Sequence, residues 1–150
     1  MAEQSTHDSM AWPLERFVAA QAAVYETVVA ELARGKKTSH WMWFVFPQLK
    51  ALGRSPTAKL YGLASACEAL AYWHHPLLGK RLAECIVLML SVAGASAHEV
   101  LGSPDDLKFQ SCLTLFAHIA PEELLFVRAL QRFYGGQRDE RTVLLLEHRG

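Results

Sequence analysis

The sequence predicts an all-α protein, and three observations carry that prediction. Apolar residues recur at three- and four-residue spacing over most of the chain. Helix-start chemistry appears again and again, as Ser-Pro pairs, Ser-x-x-Glu boxes and a proline followed by acids. Nowhere does the strict alternation of a half-buried strand appear. The chain has 150 residues, of which 51% are apolar, enough for one core that buries about two thirds of the unfolded surface. Residues 12–150 are therefore read as a single compact domain of about eight helices, with Met1 to Ala11 as a flexible N-terminal segment.

From Pro13 to Arg34 the residues Leu14, Phe17, Val18, Val24, Tyr25, Val28 and Leu32 form an apolar stripe, with Glu15, Arg16, Glu26 and Glu31 between them. This reads as one amphipathic helix, with Pro13 in its first turn and Gly35 at its left-handed stop. A basic loop, Gly35 to Thr38, follows. Ser39 suits the cap of a short helical turn over Trp41 to Phe46, although so short an apolar run also fits a buried strand. Pro47 ends it in either case, because its ring pushes Phe46 out of the α region.

Later starts are marked by side-chain chemistry. Ser55-Pro56 and Ser103-Pro104 each place a cap before a first-turn proline. Ser65 with Glu68, and Ser96 with Glu99, fit the capping box. Pro76 opens a segment through Leu78, Leu82, Ile86 and Leu90. Pro121 opens another, where Glu122 and Glu123 favour a helix N-terminus through the dipole. Gly135-Gly136 breaks that helix, and Asp139 caps the last one, from Glu140 to about Glu147. Connections this short make sequence neighbours spatial neighbours, so a helical bundle or a right-handed array of helix pairs is expected.

Composition excludes several function classes. Lys plus Arg and Asp plus Glu number 15 each, so no global field draws the chain to nucleic acid or an anionic membrane. The most apolar segment, Cys85 to Ala93, is about half a membrane span. Cys67, Cys85 and Cys112 are odd in number and without a CxxC pair, which reads as reduced, buried small hydrophobes of a cytoplasmic protein. His74-His75 lacks the spacing of a zinc site, and neither a phosphate loop nor a GxSxG elbow is present, so no metal and no cofactor are expected. A monomer is the default expectation, and the oligomeric state is otherwise open.

The segment with the most chemistry is Ser39 to Gln48, SHWMWFVFPQ. His40 is a candidate general acid or base, or a neutral donor to a ligand. On a helix, Trp41 and Phe44 share one side and Trp43 and Phe46 another, so both pairs cannot enter the same core. A division of labour is expected, with some rings in the core and Ser39, His40, one tryptophan and Gln48 bordering a cleft. Lys36, Lys37, Lys50, Arg54 and Lys59 flank the segment, and Arg54 beside the Ser55 helix start has the ingredients of an anion site. Asp105, Asp106 and Lys108 form a second polar cluster, explained by the helix dipole, by a buried ion pair or by a substrate carboxylate pair.

These segments resemble the bacterial family of unknown function numbered 1810. The likeness rests on RFVAAQAAVYETVVAELARGKKTSHWMWFVFPQL, GRSPTAKLYGL, HHPLLGKRL, GSPDDLKFQSCLTLF and FYGGQRDERTVLLL, and covers about Leu14 to Leu146. It implies a mostly α-helical, right-handed superhelical or horseshoe-like fold in bacterial cytosolic proteins, with no established activity. Some relatives carry a calpain-inhibitor label, an activity of long, proline-rich disordered chains unlike this one.

The expected function is the binding of a phosphate- or carboxylate-bearing small molecule in a cleft between the Ser39–Gln48 segment and the helix start at Ser103–Ser111. Its lining set is Ser39, His40, Trp41, Trp43, Gln48, Arg54, Asp105 and Lys108. Two rivals stand beside it. One is a hydrolase or transferase on a nucleotide-like substrate, with His40 as acid or base assisted by Asp105 or Lys108. The other is an interaction scaffold that uses the concave face of a helical array.

Overall fold

A computed structural model describes residues 12–149, so the Met1–Ala11 segment lies outside the described residues. Within them the chain is all-α, with ten α-helices and one 3-10 turn. In chain order these are α1 (Glu15–Ala22), α2 (Tyr25–Arg34), α3 (Met42–Val45), the 3-10 turn Lys50–Leu52, α4 (Pro56–Leu60), α5 (Ala66–His74), α6 (Leu78–Ser91), α7 (Ala97–Leu101), α8 (Asp105–Ile119), α9 (Leu124–Tyr134) and α10 (Glu140–Arg149).

The centre of the molecule is α8. Residues 111–117 are buried without interruption, and Phe109 joins them, the pattern of a helix covered on every side. Cys112 on α8 and Cys85 on α6 are buried as expected, whereas Cys67, in the first turn of α5, is exposed. Helix α8 packs against α5, α7, α9 and α10, while α6 packs against α2, α5 and α9. Polar residues on so enclosed a helix need internal partners. Thr114 Oγ1 donates to the Gln110 carbonyl and accepts from the Asp139 amide at 2.9 Å, which fixes the start of α10.

Much of the local chemistry appears as expected. Gly35 is left-handed, with φ 76°, and its amide closes α2. Ser55 Oγ accepts from Ala58 N, and Ser96 with Glu99 forms a complete capping box. Asp139 accepts from Thr142 N at 2.9 Å.

Four elements differ. The Pro13–Arg34 stretch is two helices, which raises the count above the expected eight. No glycine or proline marks the break at Ala23–Val24; the buried Gln21 side chain ends α1 pointing at the Phe44 carbonyl, 2.6 Å away, and the Tyr72 hydroxyl, 3.1 Å away. Glu68 completes only half a capping box, because its carboxylate accepts from Ala64 N at 2.8 Å and pairs with Arg16 at 2.8 Å. The helix announced by Pro76 begins at Leu78 and is capped by His75, whose Nδ1 accepts from Leu77 N and Leu78 N. The Ser103–Pro104 peptide is cis, and Pro104 rather than Ser103 occupies the cap position of α8.

Candidate functional site

The polar start of the aromatic segment is organised by a residue from α2. Glu31 is 2% exposed and sits one helical turn beyond Val28 on the core-facing stripe. Its Oε1 accepts from Thr38 N at 2.8 Å, Ser39 N at 3.0 Å and the Trp41 indole Nε1 at 2.9 Å. Its Oε2 accepts from the Thr38 and Ser39 hydroxyls. Burial by itself would raise the pKa of this carboxyl. The bonds from the Ser39 hydroxyl, Thr38 amide, Trp41 indole and Ser39 amide outweigh it and hold the group down at about 2. Glu31 is thus an ionised, fully partnered clasp that folds the loop after α2 back onto the helix.

Lys37 continues the clasp on the other side. Its amide donates to the Val100 carbonyl at 2.7 Å, and its ammonium lies 2.9 Å from Asp105 Oδ2 and 5.1 Å from the Trp41 ring centre. The Lys37 side chain is 8% exposed, so this lysine ties the loop to α8. Asp105 is shared, since Lys108 Nζ lies 3.9 Å from its Oδ1.

Among the aromatics the division is three to one. Trp41, Phe44 and Phe46 are buried, and Trp43 alone is half-buried. The expected split of Trp41 and Phe44 against Trp43 and Phe46 fails because α3 ends at Val45. Phe46 has left the helix, at φ −121° and ψ 71°, which turns its ring onto Phe109 at 4.7 Å. The end of the segment is then tied by a parallel bridge between Leu49 and Leu63, with Lys50 N to Leu63 O at 2.7 Å and Leu63 N to Gln48 O at 2.9 Å. The bridge depends on Gly62, where a Cβ would stand 2.4 Å from the Lys50 Cα.

A small cleft opens beside this bridge. Its walls are Met42, Trp43, Phe46, Gln48, Ala58, Tyr61, Gly62 and Lys108. Lys108 Nζ lies 5.6 Å from the centre of the Trp43 ring, within cation–π range. The free volume is about 10 Å³, room for about one water molecule. Of the eight residues expected to line a site, Trp43, Gln48 and Lys108 meet here. Ser39 and Trp41 are held by Glu31 instead, with Trp41 wholly buried. Asp105 stands behind Lys108 as its ion-pair partner. His40 and Arg54 are exposed and do not line the cleft. Tyr61 was missed by sequence reasoning, and only its position before Gly62 in the bridge places it. Among the described residues no group of three or more His, Cys, Asp or Glu side chains could hold a metal ion, and no helix is long and apolar enough to cross a membrane.

The same residues that build the clasp and the cleft fall inside a family match. A family model described as "Protein of unknown function (DUF1810)" covers residues 11–146. The chain belongs to this family. A solved structure, that of the conserved hypothetical protein Rv1873 from Mycobacterium tuberculosis at 1.38 Å, is 54% identical in sequence, with a TM-score of 0.88 over 89% of this chain and 96% of that one. That similarity shows the DUF1810 chain's fold directly. No curated protein matches it.

Proposed function

We propose that this DUF1810 chain is a small binding domain that takes an anionic small molecule, a carboxylate or a phosphate, against Trp43, Gln48 and Lys108. One observation carries the reading. Lys108 holds its ammonium over the one partly exposed ring of the aromatic segment, at the mouth of a cleft whose other polar side chains are Gln48 and Tyr61. An ammonium, an amide and a phenol can all donate, and a carboxylate is absent from the lining; such a set favours an acceptor-rich guest.

A cleft with room for one water admits a ligand only if a wall moves, and Lys108 is the wall that moves most readily. Its side chain is 28% exposed, and its distance to Asp105 is 3.9 Å, longer than a hydrogen bond. Leaving the Trp43 ring costs about 0.5–1 kcal/mol at a partly exposed site, and loosening the long Asp105 pair costs up to about 1 kcal/mol more. A charge-assisted bond to a ligand anion returns about 1.5–3 kcal/mol, so the exchange favours the ligand. The uncovered Trp43 face then offers a stacking surface to any ring the ligand carries.

The test is isothermal calorimetry with inorganic phosphate, benzoate and a nucleoside monophosphate. Binding should weaken by about tenfold or more in Lys108→Ala, as one charge-assisted bond is lost, and should be unchanged in Arg54→Ala. Absence of binding by all three probes, or equal binding by Lys108→Ala, would sink the reading.

A further inference from the structure

Away from the cleft, α6 carries a second surface. Its inner face, through Leu82, Cys85, Ile86 and Met89, is buried in the core, and its outward stripe is Lys80, Ala83, Glu84 and Val87. Two open grooves follow this stripe and share Ala83 as a common wall. One, of about 580 Å³, lies toward α2 and includes Val29 and Val87. The other, of about 400 Å³, lies toward α9 and includes Trp73 and Leu124. Val87 is 50% exposed and Leu124 58% exposed. Two grooves with apolar residues on either side of a small one are the shape that a crossing helix fills.

We propose that a second copy of this chain docks on this face, with the two α6 helices crossing antiparallel near Ala83 about a two-fold axis. Charge complementarity selects the occupant. Lys80 and Glu84 lie one turn apart on the outward stripe, so an antiparallel approach sets each Lys80 against the second copy's Glu84, twice in one interface. Glu84 is already oriented, because the Tyr25 hydroxyl donates to its Oε1 at 2.7 Å. The groove toward α9 likewise carries both signs, with Glu122, Glu123 and Arg128 among its walls. A partner of a single charge sign would meet repulsion along part of either groove, whereas a second copy brings a Glu84 to Lys80 and a Lys80 to Glu84. The small Ala83 side chain lets the two helix axes approach closely at the crossing.

Sedimentation velocity from about 1 µM to about 1 mM, the range of moderate to weak association, reads the self-association. A monomer–dimer equilibrium is expected. Val87→Glu should weaken it by about tenfold or more by burying an unpaired charge; far-UV circular dichroism confirms that this half-exposed position still folds. Lys80→Glu alone should also weaken the dimer, and the double variant Lys80→Glu/Glu84→Lys should restore it. A wild-type chain that stays monomeric throughout would overturn the proposal and leave the face to a different protein. So would a dimer that is indifferent to Val87→Glu, or one weakened by Lys80→Glu and not rescued by the swap.

Discussion

Replacing Glu31 with alanine removes the shared acceptor of five hydrogen bonds at one buried point. The Thr38 and Ser39 hydroxyls can turn toward other acceptors, but the two amides and the Trp41 indole cannot. The buried indole left alone costs about 1–3 kcal/mol, and the two part-buried amides, which water reaches in part, add about 1–2 kcal/mol together, so the loss is about 2–5 kcal/mol. A domain of this size is stable by about 5–15 kcal/mol, and each kcal/mol lowers its midpoint by about 2–4 °C, so a fall of about 10 °C is expected. Glu31→Gln separates shape from charge. Its amide oxygen keeps the three N–H donors, and its NH2 meets two hydroxyls that can rotate to accept, which leaves only the charge-assisted part, about 1–3 kcal/mol, to be lost. The sign of the pH dependence follows from the depressed folded pKa. The contribution of the ionised clasp is complete above about 4.5 and is lost as pH falls toward about 2, a gap worth about 3 kcal/mol. Urea denaturation followed by circular dichroism from pH 7 to pH 2.5 should show wild type losing its advantage over Glu31→Gln below about pH 4.5. An alanine variant that melts within about 2 °C of wild type, or parallel pH profiles for wild type and Glu31→Gln, would refute the clasp.

Three further substitutions probe the frame that holds the site. Arg16 donates to the Leu60, Pro13 and Gly62 carbonyls and to Glu68, which is 1% exposed; Arg16→Ala should cost about 3–5 kcal/mol by stranding that carboxylate, and Arg16→Ala/Glu68→Ala should be more stable than the single variant in chemical denaturation. A Cβ at Gly79 would stand 2.0 Å from the Trp73 carbonyl oxygen, so Gly79→Ala should destabilise by about 3 kcal/mol or more, a loss that the helix propensity of alanine, about 1 kcal/mol, does not offset. His75→Ala should cost about 1 kcal/mol as a lost helix cap and His75→Asn should recover part of it, both read from thermal midpoints.

What could be read from the sequence was the chemistry that acts within a few residues. Gly35, Ser55, the Ser96–Glu99 box and Asp139 all do in the structure what their local patterns require. Several of the misreadings share one cause, a polar side chain whose partner lies far along the chain. Gln21 and Glu31 occupy apolar-stripe positions, at Phe17 plus four and Val28 plus three, and both are buried. Their spacing was the available signal, because a polar residue on a core stripe must have internal partners. Gln21 finds them on Phe44 and Tyr72, and Glu31 on Thr38, Ser39 and Trp41. That second set accounts for much of the SHW start of the signature. The cleft was partly legible, since Trp43, Gln48 and Lys108 were among its expected residues, and Lys108 reaches the aromatic segment through α8 packing that only the fold supplies. Helical offsets alone misassigned Phe46, because they assume a helix that continues past Val45.

The division between a structural clasp and the cleft proposed to take a ligand is tested most directly by the indole N–H resonances of Trp41 and Trp43, assigned with single Trp→Phe variants and followed by heteronuclear NMR during titration with benzoate and inorganic phosphate. The Trp43 indole should shift in a saturable way that Lys108→Ala suppresses, while the Trp41 indole, held 2.9 Å from Glu31, stays in place and exchanges slowly with solvent. A Trp41 indole that moves with ligand or exchanges as fast as that of Trp43, or a Trp43 indole that moves with neither probe, would contradict the account.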